Sequence, residues 1–192
     1  MTPLSLVRLA WILWLISWFA AAVWSERTVR RPALRHEVLY RLLTMAGALL
    51  MFGFNPVGVR ADTPLWPVAP AIGWLLAGLV ICGFLFMWWA RLHLGQLWSS
   101  SVTRKEHHHV VDTGPYAVVR HPIYTGLLVA IVGTMLIRVT IITVIGSALI
   151  AAGIYVKARV EEAFLRQQLG DSYDAYARRV PMLVPFWHFS RS

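Results

Sequence analysis

The chain has 192 residues, 58% of them hydrophobic and 14% charged, with a mean hydropathy of +0.60. Soluble domains carry about 45–50% apolar and about 25% charged residues, so the composition excludes an ordinary soluble fold; the apolar residues also fall in blocks of membrane-spanning length. The net charge of +9 lies in the loops between those blocks, which argues against a nucleic-acid surface and for a membrane protein with its basic loops on one side.

Five apolar segments follow in chain order, and they predict an all-α integral membrane protein of about five transmembrane helices. The first, Leu4–Trp24, is rich in tryptophan (Trp11, Trp14, Trp18, Trp24). It has neither a basic n-region nor an Ala-x-Ala cleavage site, so it is expected to stay as a span. The second covers Val38–Phe54 and the third Ala69–Ala90. Between them, Pro56, Pro64, Pro67 and Pro70 rule out regular helix. The fourth, Pro122–Ile137, is short, and the fifth spans Val139–Val156. With a turn near Arg138–Thr140, the last two are expected to form a tight helical hairpin. The whole chain, 1–192, reads as one membrane domain: three spans over 1–90, then a loop, hairpin and capping tail over 91–192.

Of the 18 basic residues, only Arg8, Arg60 and Arg138 fall on one side of this arrangement. The others cluster in the Ser25–Arg41 region, the Arg91–His121 loop and the tail. By the positive-inside tendency the N-terminus is expected outside and the C-terminus in the cytoplasm. The tail after Glu161 repeats apolar residues at Phe164, Leu165, Leu169, Tyr173 and Tyr176, broken at Gly170. It is expected to be an amphipathic cytoplasmic segment that caps the site.

Chemistry concentrates in Thr113–Gly126, a polar, turn-rich segment holding Tyr116, Arg120, His121 and Tyr124. Polar groups at the hydrocarbon edge are costly unless they bind something. Pro122 suits a first helical turn; the free N–H groups there, with Arg120, are candidates to hold an anionic group. The alternative is an interfacial helix start with a snorkelling arginine and belt tyrosines. Glu161 and Glu162 follow the fifth segment, about 100° apart on a helix, so one of them is expected to face inward. His107-His108-His109 cannot converge on one ion from a helix or a strand, and Cys82 is the single cysteine, so no metal site is expected. No G-x-G-x-x-G, Walker or H-E-x-x-H motif occurs.

Two blocks together resemble the isoprenylcysteine carboxyl methyltransferase family, whose core is shared by phospholipid N-methyltransferases. The family pattern H-x-L-V-x-x-G-x-Y-x-x-x-R-H-P-x-Y-x-G stands here as His108 to Gly126, with Val110 in place of the leucine. The second block stands as Glu161-Glu162, Leu169-Gly170, Tyr173, Tyr176 and Pro181. The resemblance implies an S-adenosyl-L-methionine pocket at the cytoplasmic face, lined by His108, His109, Val110, Val111, Tyr116, His121, Pro122, Ile123, Tyr124 and Glu161. It implies catalytic roles for Arg120, Lys157 and Glu161. Lys157 stands where the isoprenylcysteine enzymes place an arginine near the methyl acceptor; it keeps the charge but loses the bidentate fork. The expected acceptor is lipophilic and comes from the bilayer, in the first place an isoprenylcysteine-like carboxylate. A phospholipid amine and a small thiol are the alternatives within enzymes, and a membrane scaffold or transporter subunit the alternative outside them.

Overall fold

The computed structural model describes residues 1–22, 34–53, 63–95 and 110–186. They form six α-helices: α1 (Pro3–Ala22), α2 (Leu34–Phe52), α3 (Pro70–Leu94), α4 (Pro122–Ile137), α5 (Ile141–Leu169) and α6 (Asp171–Arg179). A 3₁₀ turn at Gly114–Ala117 precedes α4. By length and composition α1, α3 and α5 can cross a membrane, which marks the chain as an integral membrane protein. α4 has 16 residues and is shorter. α2 carries Glu37 and Arg41 in its first half and is not among the helices that qualify on these two criteria.

Hydropathy ends the fifth apolar segment at Val156, whereas α5 runs unbroken for 29 residues to Leu169. Lys157, Ala158, Arg159, Glu161 and Glu162 are polar or small but good helix formers, so the backbone continues where apolarity stops. At about 1.5 Å per residue the helix is about 43 Å long, and it carries Lys157, Glu161 and Glu162 on one rigid rod. It starts in a reciprocal cap: Thr140 accepts from the Thr143 N–H, and the Thr143 side chain accepts from the Thr140 N–H. It stops at Gly170, whose φ of +53° breaks the helix before α6.

The short Arg138–Thr140 connection is present, but the expected tight pairing of the last two helices is not. α4 packs chiefly on α3 and α5 chiefly on α2, with few contacts between α4 and α5 themselves. Small residues cause this. A Cβ on Gly126 would lie 2.6 Å from the Gly83 carbonyl oxygen, and one on Gly146 would lie 2.8 Å from that of Gly47. Backbones approach that closely only where side chains are absent. The fold is therefore two antiparallel pairs, α2 with α5 and α3 with α4, joined at the Arg138–Thr140 turn.

α1 leans on the α3/α4 pair. Trp11 and Trp14 pack on Phe84 of α3, and the Trp11 indole donates to Thr134 Oγ1 of α4 at 2.9 Å. Val7, Val80, Met87, Ala130, Ile131, Ile150 and Ile154 complete the core. Outward residues such as Ile16, Phe19, Leu75 and Leu85 are large, apolar and exposed, as a lipid-facing surface requires. A cavity of about 640 Å³ lies between the pairs, lined by Val7 and Trp11 of α1, Ala48 of α2, Ile131 of α4 and Ile150 of α5.

Candidate functional site

All the candidate residues that are described lie at one end of the bundle, opposite the Arg138–Thr140 turn. The start of α4, the polar half of α5, the first turns of α2 and the α6 segment meet there.

Arg120 is the anchor. Its Nε donates to Glu162 Oε1 at 2.7 Å and its Nη2 lies 2.6 Å from the same oxygen. Its Nη1 donates to the carbonyls of Ala177 and Val180. The Glu162 side chain is 1% exposed and also receives Arg166 Nη2 at 3.4 Å. Arg166 in turn donates to Asp174 of α6 at 3.0 Å. The sequence expectation gave Arg120 an anionic ligand to hold; the guanidinium is instead engaged by Glu162 and two backbone carbonyls, which leaves it little donor capacity. Main-chain bonds extend this clamp: the Arg120 N–H donates to Pro181 O at 2.8 Å and the His121 N–H to Met182 O at 3.1 Å. The Thr125 hydroxyl donates to Leu183 O at 2.6 Å. The segment after α6 is thereby laid along the start of α4.

Of the two glutamates, Glu162 is the interior one. Glu161 keeps its side chain 31% exposed. The Tyr124 hydroxyl donates to Glu161 Oε2 at 2.7 Å, and His121 Nδ1 lies 3.7 Å from that oxygen. The rings of His121 and Tyr124 stack at 5.3 Å and 12°. Lys157 Nζ lies 5.3 Å from the Tyr124 ring centroid and 5.7 Å from that of Tyr40 on α2, within cation–π range of both. The structure thus gathers Tyr124, His121, Glu161 and Lys157 into one cluster.

Tyr116 is buried beside this cluster. Its ring stacks on His93 of α3 at 6.3 Å, and its carbonyl accepts from the Tyr176 hydroxyl at 2.7 Å. Burial, and then the Glu161 charge, pushes its phenol well above the usual range, so it stays a neutral O–H. Gly114 adopts φ +56°, and a Cβ there would lie 2.7 Å from the His93 ring. Pro122 is buried at the first turn of α4, and Ile123 is half-buried against the core. Val110 packs on Tyr173, Tyr176 and Val180, while Val111 is half-buried. His108 and His109 lie outside the described residues. No cluster of three metal-ligating side chains occurs among the described residues.

Sequence reasoning missed four contributors. Arg91 of α3 is 2% exposed and donates to Gly95 O and Ala21 O, which ties the end of α1 to the site. His93 stacks on Tyr116 and lies 2.9 Å from Thr113 Oγ1. Glu37 and Tyr40 bring α2 to the Lys157 side of the cluster. Their signal was spacing: Glu37, Tyr40, Thr44, Gly47 and Met51 form a continuous helical stripe.

Fold and site define an α-helical integral membrane protein with an ionisable cluster at one end of the bundle. Residues 76–167 match the Isoprenylcysteine carboxyl methyltransferase (ICMT) family. Protein-S-isoprenylcysteine O-methyltransferase B of Arabidopsis thaliana is 38% identical over 86 residues, 44% of each chain. The protein-S-isoprenylcysteine O-methyltransferase of Schizosaccharomyces pombe is 35% identical over 99 residues, 50% of this chain and 42% of that one. The nickel-cobalt-cadmium resistance protein NccN of Alcaligenes xylosoxydans xylosoxydans is 32% identical over 120 residues, 62% of this chain and 55% of that one. The matched segments thus take in about half the length of these relatives. A solved structure of the eukaryotic intramembrane Ras methyltransferase ICMT aligns at 22% identity, covering 82% of this chain and 55% of that one with a TM-score of 0.49. The likeness to the ICMT family therefore covers residues 76–167, just under half of this chain.

Proposed function

We propose that the chain is an S-adenosyl-L-methionine-dependent methyltransferase acting at the cytoplasmic membrane face on the carboxylate of an isoprenylcysteine-like acceptor. The observation that carries this reading is the unequal fate of the two glutamates. Glu162 is consumed by Arg120, while Glu161 stays accessible, flanked by the Tyr124 and His121 rings and next to the Lys157 ammonium.

The residues fit such a cofactor. Glu161 can accept from a ligand ammonium, and His121 Nε2 is buried with no hydrogen bond among the described residues, 3.5 Å from Glu162 Oε1. Tyr116, Tyr124 and the His121 ring supply aromatic faces that attract a cation. His108, His109, Val110, Val111, Pro122 and Ile123 complete the proposed pocket. When bound, the cofactor supplies an electrophilic methyl on a sulfonium: the new bond is carboxylate O–CH₃, the broken bond is S–CH₃, and the opposite charges cancel to give a neutral ester and a neutral thioether.

A cysteine α-carboxyl has a pKa of about 3.5 and is already ionised at neutral pH, so no general base is required. Lys157 orients that carboxylate by charge. Arg120 acts as a positioning residue that fixes the start of α4 against α5. The α6 segment excludes water, which strengthens each of these interactions. The lipophilic part of the acceptor enters from the bilayer between helices.

Labelled cofactor offered with prenylcysteine acids, amino-headgroup lipids and small thiols tests the acceptor class, with the methyl ester as the expected product. Methylation of only water-soluble thiols or of lipid amines would overturn the carboxylate reading. Glu161→Gln is expected to weaken cofactor binding by about 1.5–3 kcal/mol, or roughly 10- to 150-fold, through loss of a charge-assisted bond. Calorimetry showing equal affinity in the variant would remove Glu161 from the pocket. Reporter fusions are expected to read external at Asp62 and cytoplasmic at Lys105 and Ser192; an external Lys105 would put the site on the wrong side for a cytosolic cofactor.

A further inference from the structure

α2 lies outside the family-matched residues, yet it brings a buried acid to the site. Glu37 is 5% exposed and Tyr40 is 4% exposed. Arg41 donates to Glu37 Oε2 at 2.8 Å from the surface, its own side chain being 57% exposed. The other oxygen, Oε1, is fully buried and makes no hydrogen bond among the described residues. The Tyr40 hydroxyl, close to the Arg41 guanidinium, also makes none. A buried carboxylate oxygen without a donor costs free energy that a native fold rarely leaves uncompensated.

Helix register places Glu37 along α5. Gly47 is opposite Gly146, and the Tyr40 carbonyl is opposite Gly153. One more turn of that antiparallel register brings Glu37 level with Lys157. Glu37 also shares the α5-facing stripe of Tyr40, Thr44 and Gly47. Lys157 sits between the Tyr40 and Tyr124 rings. The order across the site is therefore Glu37 and Tyr40 on α2, then Lys157, then Tyr124 with Glu161. An anionic group and a donor group of one ligand can be held side by side there, the anion on Lys157 and the donor on Glu37.

Resting on the methyltransferase reading above, we propose that Glu37 and Tyr40 form an acceptor subsite for an ammonium adjacent to the carboxylate that is methylated. The preferred acceptor is then a free S-alkylated cysteine with a zwitterionic head. A prenylcysteine at the end of a peptide, whose α-nitrogen is an uncharged amide, fits less well. A carboxylate binds an ammonium through charge-assisted bonds that an amide N–H matches only weakly. The buried Glu37 carboxylate and the neighbouring Lys157 repeat, with opposite signs, the two charges of that head group.

The test uses the full chain in nanodiscs with labelled S-adenosylmethionine, and compares S-farnesylcysteine with its N-acetyl derivative. The wild type is expected to favour the free amino compound in kcat/KM. Glu37→Gln is expected to lower that preference about 10-fold or more, mainly through KM, with Glu37→Asp recovering part of it. Cofactor binding, measured separately, reports whether each variant is folded. A wild type that favours the acetylated compound overturns the proposal without any variant. So does a Glu37→Gln protein with the wild-type preference, or one whose cofactor affinity falls while the preference stays. Methylation of neither compound by a cofactor-binding wild type would instead defeat the proposed function, and this subsite with it.

Discussion

Arg120→Met is expected to destabilise the protein by about 3–5 kcal/mol, because it strands Glu162 as a buried charge stripped of its closest partner. Arg166 lies 3.4 Å from the far oxygen of Glu162 and compensates only weakly at that distance. The carbonyls of Ala177 and Val180 lose their side-chain donor at the same time. Replacing both ends, as Arg120→Met with Glu162→Met, is expected to recover part of the loss, since an apolar pair carries no buried charge. The stranded carbonyls keep the recovery incomplete. Equilibrium unfolding of the purified protein in detergent measures both variants. A single variant within about 0.5 kcal/mol of the wild type, the range of an ordinary surface substitution, would show that the pair does not hold the site end together.

The second large effect concerns the α2/α5 seam. A Cβ on Gly146 would lie 2.8 Å from the Gly47 carbonyl oxygen and 2.9 Å from the Met51 nitrogen. Both are backbone atoms, so no rotamer change relieves the clash. Gly146→Leu is expected to cost at least the upper end of the usual range of about 1–3 kcal/mol for overpacking. It should also abolish activity by pushing α2, with Glu37 and Tyr40, away from Lys157. Gly78→Leu on α3 is the control, because a Cβ there meets nothing within 4 Å. It is expected to be neutral or slightly stabilising through helix propensity. Equal damage from the two substitutions would mean that the seam is not what places α2.

The start of α4 was legible because Pro122, ahead of an apolar run, suits a first turn, and Gly170 was legible as a break for its backbone freedom. The end of α5 was not, because hydropathy falls at Lys157 while helix propensity does not. The same fault hid Glu37: an apolar window opens α2 at Val38 and leaves the acid in the preceding loop. Which glutamate turns inward depended on Arg120, 42 residues away, and no local pattern carries that. The helix partners were misjudged because a short connection suggests neighbours. Gly126 and Gly133, like Gly146 and Gly153, are spaced seven apart, and this marked faces built to meet α3 and α2 instead.

The two-pair architecture changes how damage at the site must be read. With little packing between α4 and α5, the pairs resemble the arms of a pair of tongs joined at Arg138–Thr140, about 24 Å from the start of α4 at 1.5 Å per residue. What fastens the arms at the working end is polar: Arg120 to Glu162 and Tyr124 to Glu161. The residues proposed to meet cofactor and acceptor are thus also the clasp of the molecule, or stand beside it. Inactive variants at positions 120, 124, 161 and 162 therefore call for a measurement of closure before a chemical role is assigned. Ligands that bridge the arms should, by the same logic, stabilise the folded protein more than their contacts with either arm alone would indicate.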